Sequence, residues 1–244
     1  MKKKILLFSG GLDSILLDWK VKPDILLYVD MHTRYSEREI EHLKTLPNYY
    51  TDRLIIKDLP LGEYEKPNYF LPYRNLILIA IALQYAPKVY LGFTYQDNSL
   101  DCRETFMTKA SSIFRFLNKD NKDMMGWDAK DFCIKASYKD YTKSEMVRDC
   151  LELGMPPEWI QNTRTCYSGE SKKGCGLCLP CWNKAVALLN NNLFREDLFE
   201  HPIDMSLFQK SFEFYEKEWG KDKVYQPHYQ EVRRAYKRLQ QIQK

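Results

Sequence analysis

Short apolar runs alternate along the first 150 residues with segments whose apolar residues recur at helical spacing. This pattern predicts strands at residues 4–8, 25–30, 53–57, 88–93 and 131–134, and helices at residues 13–20, 36–46, 73–86, 101–118 and 142–153. The helix at 73–86 is almost entirely apolar and is expected to be deeply packed. Regular alternation of this kind predicts an α/β fold, a parallel sheet of about five strands with helices on both faces.

The chain changes character after residue 160, where a cysteine-rich segment precedes helix-like stretches near 182–192, 204–219 and 228–243. We interpret residues 1–244 as one α/β domain with a zinc module at about 160–190 and a helical C-terminal extension at about 193–244. The spacing of the extension's aromatic residues places Phe208, Phe212, Tyr215 and Trp219 on one helix face. That face packs either on the chain's own core or across a homodimer interface.

Composition narrows the class of protein. Hydrophobic residues make up 44% and charged residues 29% of the chain, which is typical of a globular protein. No apolar stretch approaches the ~20 residues of a membrane span. The net charge of +4 fits phosphorylated ligands and does not argue for nucleic acid. Seven cysteines and no secretory segment before the first strand favour a reducing, cytoplasmic setting.

A glycine loop joins the first predicted strand to the first helix. Its sequence is Phe8-Ser9-Gly10-Gly11-Leu12-Asp13-Ser14. Two glycines let backbone N–H groups approach an anion, and the helix adds its N-terminal donors and dipole. Asp13 would repel phosphates unless it holds a divalent metal that bridges to them. The alternative is an ordinary glycine turn into a helix capped by Asp13 or Ser14.

Four cysteines, Cys166, Cys175, Cys178 and Cys181, have the spacing Cys-x8-Cys-x2-Cys-x2-Cys. Four thiolates suit a closed tetrahedral zinc site that leaves no position for catalysis. An iron–sulfur cluster is the main alternative, and a disulfide pair is a further one.

Three smaller motifs carry charge at helix starts. Arg74 and Lys143 each stand in the first turn of a predicted helix, where a cation opposes the dipole and can be retained to bind an anion. Thr142 and Glu145 predict a capping box around Lys143. The loop from Gly92 to Arg103 contains carboxylates that either bind a ligand or cap the next helix.

The loop at 9–14 resembles the signature of the N-type ATP pyrophosphatase superfamily. The chain further resembles the 7-cyano-7-deazaguanine synthase family in the order of its other motifs. These are Pro72-x-Arg74-Asn75, Asp101-Cys102-Arg103, Thr142-Lys143-x-Glu145 and the four cysteines. The resemblance covers roughly residues 4–190.

The resemblance implies an adenine nucleotide alpha hydrolase-like fold and an ATP-dependent ligase that forms C–N bonds. It implies conversion of 7-carboxy-7-deazaguanine and ammonia to a nitrile through an adenylated carboxylate and an amide. It also implies one structural zinc per chain, magnesium with ATP, a homodimer, and a product used for queuosine in tRNA or for deazaguanine modification of DNA.

Site residues follow from the matched motifs. The catalytic residues are expected to be Asp13, Arg74 and Lys143. ATP is expected to contact Phe8, Ser9, Gly10, Gly11, Leu12, Asp13, Ser14, Val29, Met31 and Gly92. The purine-like substrate is expected to contact Arg74, Asn75, Asp97, Asp101, Cys102 and Arg103. Cys102 is either a nucleophile or a packing or substrate-contact residue.

The chain departs from the family pattern after the second strand. There the family usually has Asp-Tyr-Gly-Gln-Arg-His, whereas this chain has Asp30-Met31-His32-Thr33-Arg34-Tyr35. This departure leaves the exact substrate open, and other functions stay open beside it. The chain could stop at the amide, act on another deazaguanine, thiolate tRNA as a related ATP pyrophosphatase, or bind nucleotide without catalysis.

Overall fold

The computed structural model describes residues 2–68, 70–94, 97, 99–119, 126–168, 170–215, 217 and 226–242. The chain divides into two compact units, Met1–Asp140 and Tyr141–Lys244. The single-domain organisation that the sequence indicates stays a prediction.

The first unit contains a five-stranded sheet whose strands are all parallel, in the order β3-β2-β1-β4-β5. The strands β1 to β5 are Lys4–Leu7, Ile25–Asp30, Leu54–Asp58, Lys88–Tyr90 and Cys133–Lys135. The predicted parallel α/β sheet is therefore confirmed, with each predicted strand within a few residues of an observed one.

The helices of the first unit, α1 to α5, are Leu12–Val21, Ser36–Lys44, Asn48–Thr51, Arg74–Ala82 and Glu104–Leu117. The short helix α3 was not predicted. α5 begins at Glu104 and not at Asp101, because Leu100–Cys102 form a 3-10 turn and Arg103 is extended. Short 3-10 turns also occupy Gly62–Tyr64 and Ala129–Asp131.

The helix α4 packs against the sheet through one face. Ile79 and Ala82 are buried in one core with Ile5 of β1 and Val89 of β4. The prediction of deep packing is wrong for much of the apolar run, since Leu76, Ile77, Leu78 and Ile81 are only half-buried. A helix that lies on a sheet buries a stripe of its surface, however apolar its other faces are.

A buried ion pair links the first helix to the third strand. Arg53, the residue before β3, donates from Nη1 and Nη2 to the two carboxylate oxygens of Asp18 on α1, at 2.9 and 3.2 Å. Asp18 is fully buried. Such a bidentate pair fixes the direction in which the chain enters β3.

The second unit is helical in the part that the structure describes. Its helices α6 to α10 are Lys143–Glu152, Pro157–Gln161, Leu179–Asn190, Met205–Phe214 and Gln226–Ile242, and Glu196–Leu198 form a 3-10 turn. The helix α7 was not predicted. Cys178 is the residue before α8, so the cysteine segment leads directly into the central helix of this unit.

The C-terminal aromatic residues belong to the core of the second unit. Phe208 and Tyr215 are buried there and Phe212 packs against it, together with Trp182 of α8 and Val232 of α10. Packing on the chain's own core is therefore confirmed for these three positions of the predicted aromatic face. Trp219, the fourth position, lies outside the described residues.

None of the helices that the structure describes has the length and apolar character needed to cross a membrane.

We predict that Phe208→Ala destabilises the protein by about 3–5 kcal/mol, because the buried ring packs against Trp182 and Tyr236 at centroid distances of 5.4 and 5.5 Å. Urea unfolding of the wild type and the variant measures the difference. The matched control is Phe214→Ala in the same helix, where the side chain is 49% exposed. The control should cost about 1 kcal/mol or less. Equal losses would contradict the assignment of this core.

Candidate active site and metal centre

The glycine loop has the backbone conformation that close packing demands. Gly10 has φ +71°, and a β-carbon there would lie 3.0 Å from Leu43 Cδ2 and 3.1 Å from His42 Cδ2. Gly11 is the N-cap of α1 and makes no side-chain cap. The alternative in which Asp13 or Ser14 caps this helix is therefore wrong. With no side chain at the cap, the first turn of α1 can present N–H groups to an anion.

Two hydroxyl groups border this turn. Gly11 N donates to Ser9 Oγ at 3.3 Å, and Ser14 Oγ donates to the Gly11 carbonyl at 3.0 Å. The two hydroxyl oxygens lie 3.5 Å apart. Both residues are thus placed at the helix start, as the sequence predicted.

The loop after β4 meets the loop after β1 at Asp13. A β-carbon at Gly92 would lie 3.6 Å from Asp13 Cβ and 3.8 Å from Ser14 N. The chain runs from β1 to β2 and β3 on one side and then crosses to β4 on the other. Ligands of open parallel sheets bind at such switch points, beyond the carboxyl ends of the strands. Asp13 therefore occupies a position in which a carboxylate can hold a metal ion beside phosphates.

Four of the predicted ATP contacts have side chains that lie deeper in the unit. Phe8, Leu12, Val29 and Met31 are buried, and Phe8 stacks on Tyr50 with ring centroids 5.6 Å apart. The Met31 carbonyl accepts a hydrogen bond from Leu61 N at 3.1 Å. Their side chains serve the core, so a nucleotide would meet mainly the backbone at this end of β2.

His32 follows β2 and joins two carboxylates that end neighbouring strands. Its Nε2 lies 2.5 Å from Asp58 Oδ1 and 3.6 Å from Asp30 Oδ2. The hydrogen bond to Asp58 raises the pKa of His32, and the charge of Asp30 adds to that effect. Their ligand atoms are close enough to share a metal ion, although His32 and Asp58 are exposed. Sequence reasoning did not identify this group, even though parallel strands bring Asp30 and Asp58 to one edge.

The start of α4 meets the turn before α5. Asn75 Nδ2 donates to Asp101 Oδ2 at 2.7 Å, and Ser99 Oγ donates to Cys102 Sγ at 2.9 Å. Asn75 is buried, although it is an amide in an apolar helix. The alternative in which Asp101 caps α5 is wrong, since the N-cap of that helix is Arg103. Ser99 was not predicted as part of this cluster.

The Cys102 thiol is held in its neutral form. Burial raises its pKa to about 11, the carboxylates of Asp97 and Asp101 act in the same direction, and Arg74 opposes them. A thiol with this pKa is a poor nucleophile at neutral pH, which favours a contact role. The same charges show that Arg74, Asp97 and Asp101 all lie near Cys102.

Two further residues complete the list of predicted substrate contacts. Asp97 turns back on its own loop, where Oδ2 accepts hydrogen bonds from Thr94 N and Thr94 Oγ1, both at 2.8 Å. Arg103 is exposed at the residue before α5. The structure thus brings five of the six predicted substrate residues together and places the sixth beside them.

Left-handed backbone conformation marks two residues of this region. Among the described residues other than glycine, φ is positive at Lys22, His32, Tyr73 and Asn192. Lys22 and Asn192 follow helix C-termini, where this conformation is common. His32 and Tyr73 have no such reason, and Tyr73 is the exposed N-cap of α4, next to Arg74. Strained residues of this kind cluster at functional sites.

Lys143 belongs to the second unit, where it is the first residue of α6. The predicted capping box is confirmed, since Glu145 N donates to Thr142 Oγ1 at 3.2 Å and Thr142 N donates to Glu145 Oε2 at 2.9 Å. Thr142 Oγ1 also donates to the buried Glu231 of α10 at 3.0 Å. The C-terminal helix therefore supports the turn that positions Lys143, and the role of Lys143 at phosphates stays a prediction.

The four predicted cysteines come together at the start of α8. Their sulfur atoms all lie within 4.8 Å of one another. The sulfurs of Cys166 and Cys178 are 3.9 Å apart, as are those of Cys175 and Cys181. Sulfurs at the corners of a tetrahedron around one ion, with metal–sulfur bonds of ~2.3 Å, are separated by about 3.8 Å. The cluster therefore fits a single tetrahedral metal ion.

Backbone donors stabilise negative charge on the sulfurs. Ser168 N and Cys175 N each donate to Cys166 Sγ at 3.3 Å, and Leu177 N donates to Cys175 Sγ at 3.3 Å. The pKa of Cys166 is lowered, first by hydrogen bonds from the Cys178 and Cys181 thiols and then by these N–H groups. Gly176 is required at its position, because a β-carbon would lie 2.2 Å from the His201 carbonyl oxygen.

Two buried cations lie close to the cysteines in sequence. Lys184 follows Cys181 by one turn of α8, and Arg164 precedes Cys166 by two residues. Burial lowers the pKa of Lys184 to about 7, and the nearby Cys181 opposes that shift. Sequence reasoning missed both residues, although the position of Lys184 one turn beyond a ligand is a readable signal.

Comparison with known proteins agrees with this arrangement. The profile of the family described as "Queuosine biosynthesis protein QueC" matches residues 48–192. The 7-cyano-7-deazaguanine synthase of Pseudoalteromonas translucida is 27% identical over 224 residues, which cover 79% of this chain and 96% of that protein. The enzyme of the same name from Campylobacter concisus is 28% identical over 214 residues, covering 74% and 91%. With its glycine loop, its Asn75–Asp101–Cys102 cluster and its four cysteines, the chain belongs to the QueC family of queuosine biosynthesis proteins.

Proposed function

We propose that this protein makes 7-cyano-7-deazaguanine from 7-carboxy-7-deazaguanine and ammonia, with ATP as the activating substrate. The observation that carries the proposal is the pairing of a phosphate-binding loop at Asp13 and Gly92 with the Asn75–Asp101–Cys102 cluster in the same unit. Membership of the family and the activity for which the relatives are named support the same reaction.

The first half of the reaction makes an amide. A carboxylate oxygen of the substrate attacks the α-phosphorus of ATP, pyrophosphate leaves, and an acyl adenylate forms. Ammonia then adds to the acyl carbon and loses a proton, and AMP leaves. Activation is needed because AMP is a far better leaving group than the oxide that a free carboxylate would have to expel.

The second half makes the nitrile by the same logic. The amide oxygen attacks the α-phosphorus of a second ATP and pyrophosphate leaves. Loss of protons from nitrogen and departure of AMP then leave a carbon–nitrogen triple bond. One site can serve both halves, because an oxygen on the same carbon is activated each time.

The phosphates of ATP would bind at residues 9–14, on the N–H groups of the loop and the hydroxyls of Ser9 and Ser14. Asp13 would hold magnesium, which supplies positive charge to the phosphates when it is bound. Arg74 and Lys143 would neutralise charge on the phosphates as the oxygen attacks. The adenine would lie on the backbone at Val29–Met31.

The purine-like base would be held by the cluster at the start of α4. The Asp101 carboxylate can accept hydrogen bonds from the N–H groups of a guanine-like ring. Asn75 holds that carboxylate in place from a buried position, while Cys102 offers a neutral contact. Asp97 and Arg103 would complete the contacts at the exposed edge.

Thiolation of tRNA is the second function that the sequence left open. It is not favoured, because the matched relatives bear the name of the nitrile-forming enzyme. A variant that stops at the amide is distinguished from the proposal by the mass of its product.

We predict that incubation with 7-carboxy-7-deazaguanine, ATP and ammonium yields the nitrile, with two molecules of AMP and pyrophosphate released per product. Mass spectrometry and a pyrophosphate assay measure these quantities. An amide as the final product would reject the proposed reaction.

Asp13→Ala should lower turnover by about 10³-fold, because the carboxylate beside the phosphates is lost.

The matched control for this substitution is Asp52→Ala, an exposed carboxylate before β3, at the opposite end of the strands. It should leave turnover unchanged. Pyrophosphate release at the wild-type rate by Asp13→Ala would overturn the role of Asp13 while leaving the overall activity in place.

We also propose that the metal in the cysteine cluster is zinc. Four thiolates in a closed tetrahedron are a common structural zinc site. A four-iron cluster places iron and sulfide between the cysteine sulfurs and needs a wider separation than the 3.9 Å found in two of the pairs.

The zinc proposal predicts about one zinc per purified chain by elemental analysis. Cys178→Ser should lose the metal and unfold at a lower temperature, because metal binding contributes folding free energy in such sites. Cys133→Ser, a half-buried cysteine of β5, is the control and should keep the metal. A brown protein containing iron and sulfide would reject zinc.

We propose that the chain works in the cytoplasm as a homodimer. All seven cysteines are free of disulfides, which fits a reducing compartment. Ile113, Phe116 and Leu117 form an exposed apolar face on α5, with Phe116 78% exposed. Apolar faces of this kind often mark association surfaces.

If the protein is a homodimer, its sedimentation coefficient should be that of a particle of two chains. Dilution should then dissociate the dimer into monomers. Phe116→Glu should shift the protein to the monomer, because a charge in an apolar interface loses its hydration. Thr108→Glu, an exposed position on another side of the same helix, should leave the association state unchanged. A wild type that sediments as a monomer at all concentrations would refute the homodimer.

A further inference from the structure

The amine of Lys184 lies in the core of the second unit. Only 5% of its surface is exposed, and Nζ donates to the carbonyl oxygens of Gln161 and Thr163, the first at 2.7 Å. Both carbonyls belong to the segment that leads into Cys166. Lys184 thus connects α8 through hydrogen bonds to the segment that precedes Cys166, the first of the four cysteines.

Arg164 lies in that same segment and is 4% exposed. Its guanidinium donates to the carbonyl oxygens of Cys166, Ser168 and Ser171, at 3.3, 2.7 and 3.2 Å. These carbonyls line the loop between the first and second cysteines. Within the described part of the chain, no carboxylate forms an ion pair with Arg164 or with Lys184.

Two buried cations without a carboxylate are an electrostatic problem. Carbonyl dipoles satisfy their hydrogen bonds but do not neutralise their charge, and a charge removed from water needs a compensating charge nearby. The cysteine sulfurs are the candidates for that charge. Arg164 Nη1 donates to the Cys166 carbonyl at 3.3 Å, and Lys184 follows Cys181 by one turn of α8, where Cys181 acts to raise the pKa of Lys184.

We propose that Lys184 and Arg164 are the counter-charges of the metal centre. Four thiolates around a divalent ion carry a net charge of about −2, and the two side chains together supply the opposite charge. The inference rests on the metal site proposed above. It assigns both residues a positioning and charge-balancing role in which neither touches the metal.

The opposing explanation is that both side chains only tether backbone carbonyls. The two explanations differ in the metal-free protein. A tether stabilises the chain with or without metal. A counter-charge stabilises the metal-loaded chain and, once the metal has gone, no longer stabilises the fold.

The experiment compares the wild type with Lys184→Met and Arg164→Met in both forms of the full chain. One readout is the rate of zinc release to a chelator, and the other is the unfolding temperature with and without zinc. We expect each variant to release zinc about tenfold faster or more, in the range that outer-shell substitutions cause. The metal-free variants should unfold at the same temperature as the metal-free wild type or at a higher one.

Lys184→Arg is the conservative control, since it keeps the charge and should keep the wild-type release rate. Unfolding temperatures that fall equally with and without zinc, at an unchanged release rate, would overturn the proposal. If Lys184→Met is insoluble, the same pair of results for Arg164→Met decides the question. A wild type that contains no metal would refute the proposed zinc centre itself and is thereby distinguished from failure of this inference.

Discussion

The parallel pairing of β1 with β4, in which Ile5 lies opposite Val89, determines where ligands can bind in the first unit. This pairing places β2 and β3 on one side of β1, and β4 and β5 on the other. A crevice results at the carboxyl ends of β1 and β4. The glycine loop follows β1 and Gly92 follows β4. Glycines without side chains therefore border this crevice on both sides. Asp13 can face a ligand there because the opposite position carries no side chain.

In the second unit, the core and the cysteine cluster are built from the same residues. Cys166 and Cys181 are buried in the same cluster as Trp182, Phe199 and Phe208. The Phe199 ring and Cys181 Sγ both lie next to Gly174. A β-carbon at Gly174 would be 3.0 Å from the ring and 3.2 Å from the sulfur. A helical unit of this size gains stability when a metal joins its segments. The C-terminal helices complete that core around the cysteines.

The sequence predicted the type and approximate position of the longer elements, because their apolar periodicity is set locally. The order of the strands was not predictable, since β1 pairs with β4 through contacts distant in sequence. The glycine loop and the four cysteines were recognisable because each is contiguous. Ser99 and the contact of His32 with Asp58 were missed, because the contacts of these residues are defined only by how the loops fold. Asp101 and Asn75 were both predicted as site residues, but their contact with each other was not, since they are 26 positions apart.

The left-handed conformations of His32 and Tyr73 have a cost in stability that glycine would remove. A residue with a β-carbon in this conformation costs on the order of 1–2 kcal/mol, which glycine would avoid. Directed evolution for heat resistance alone would therefore recruit glycine at these two positions early. The same populations would lose an imidazole between two carboxylates and an exposed aromatic ring beside Arg74. Heat resistance gained in this way would therefore remove two side chains that lie next to charged groups, without any change in the rest of the scaffold.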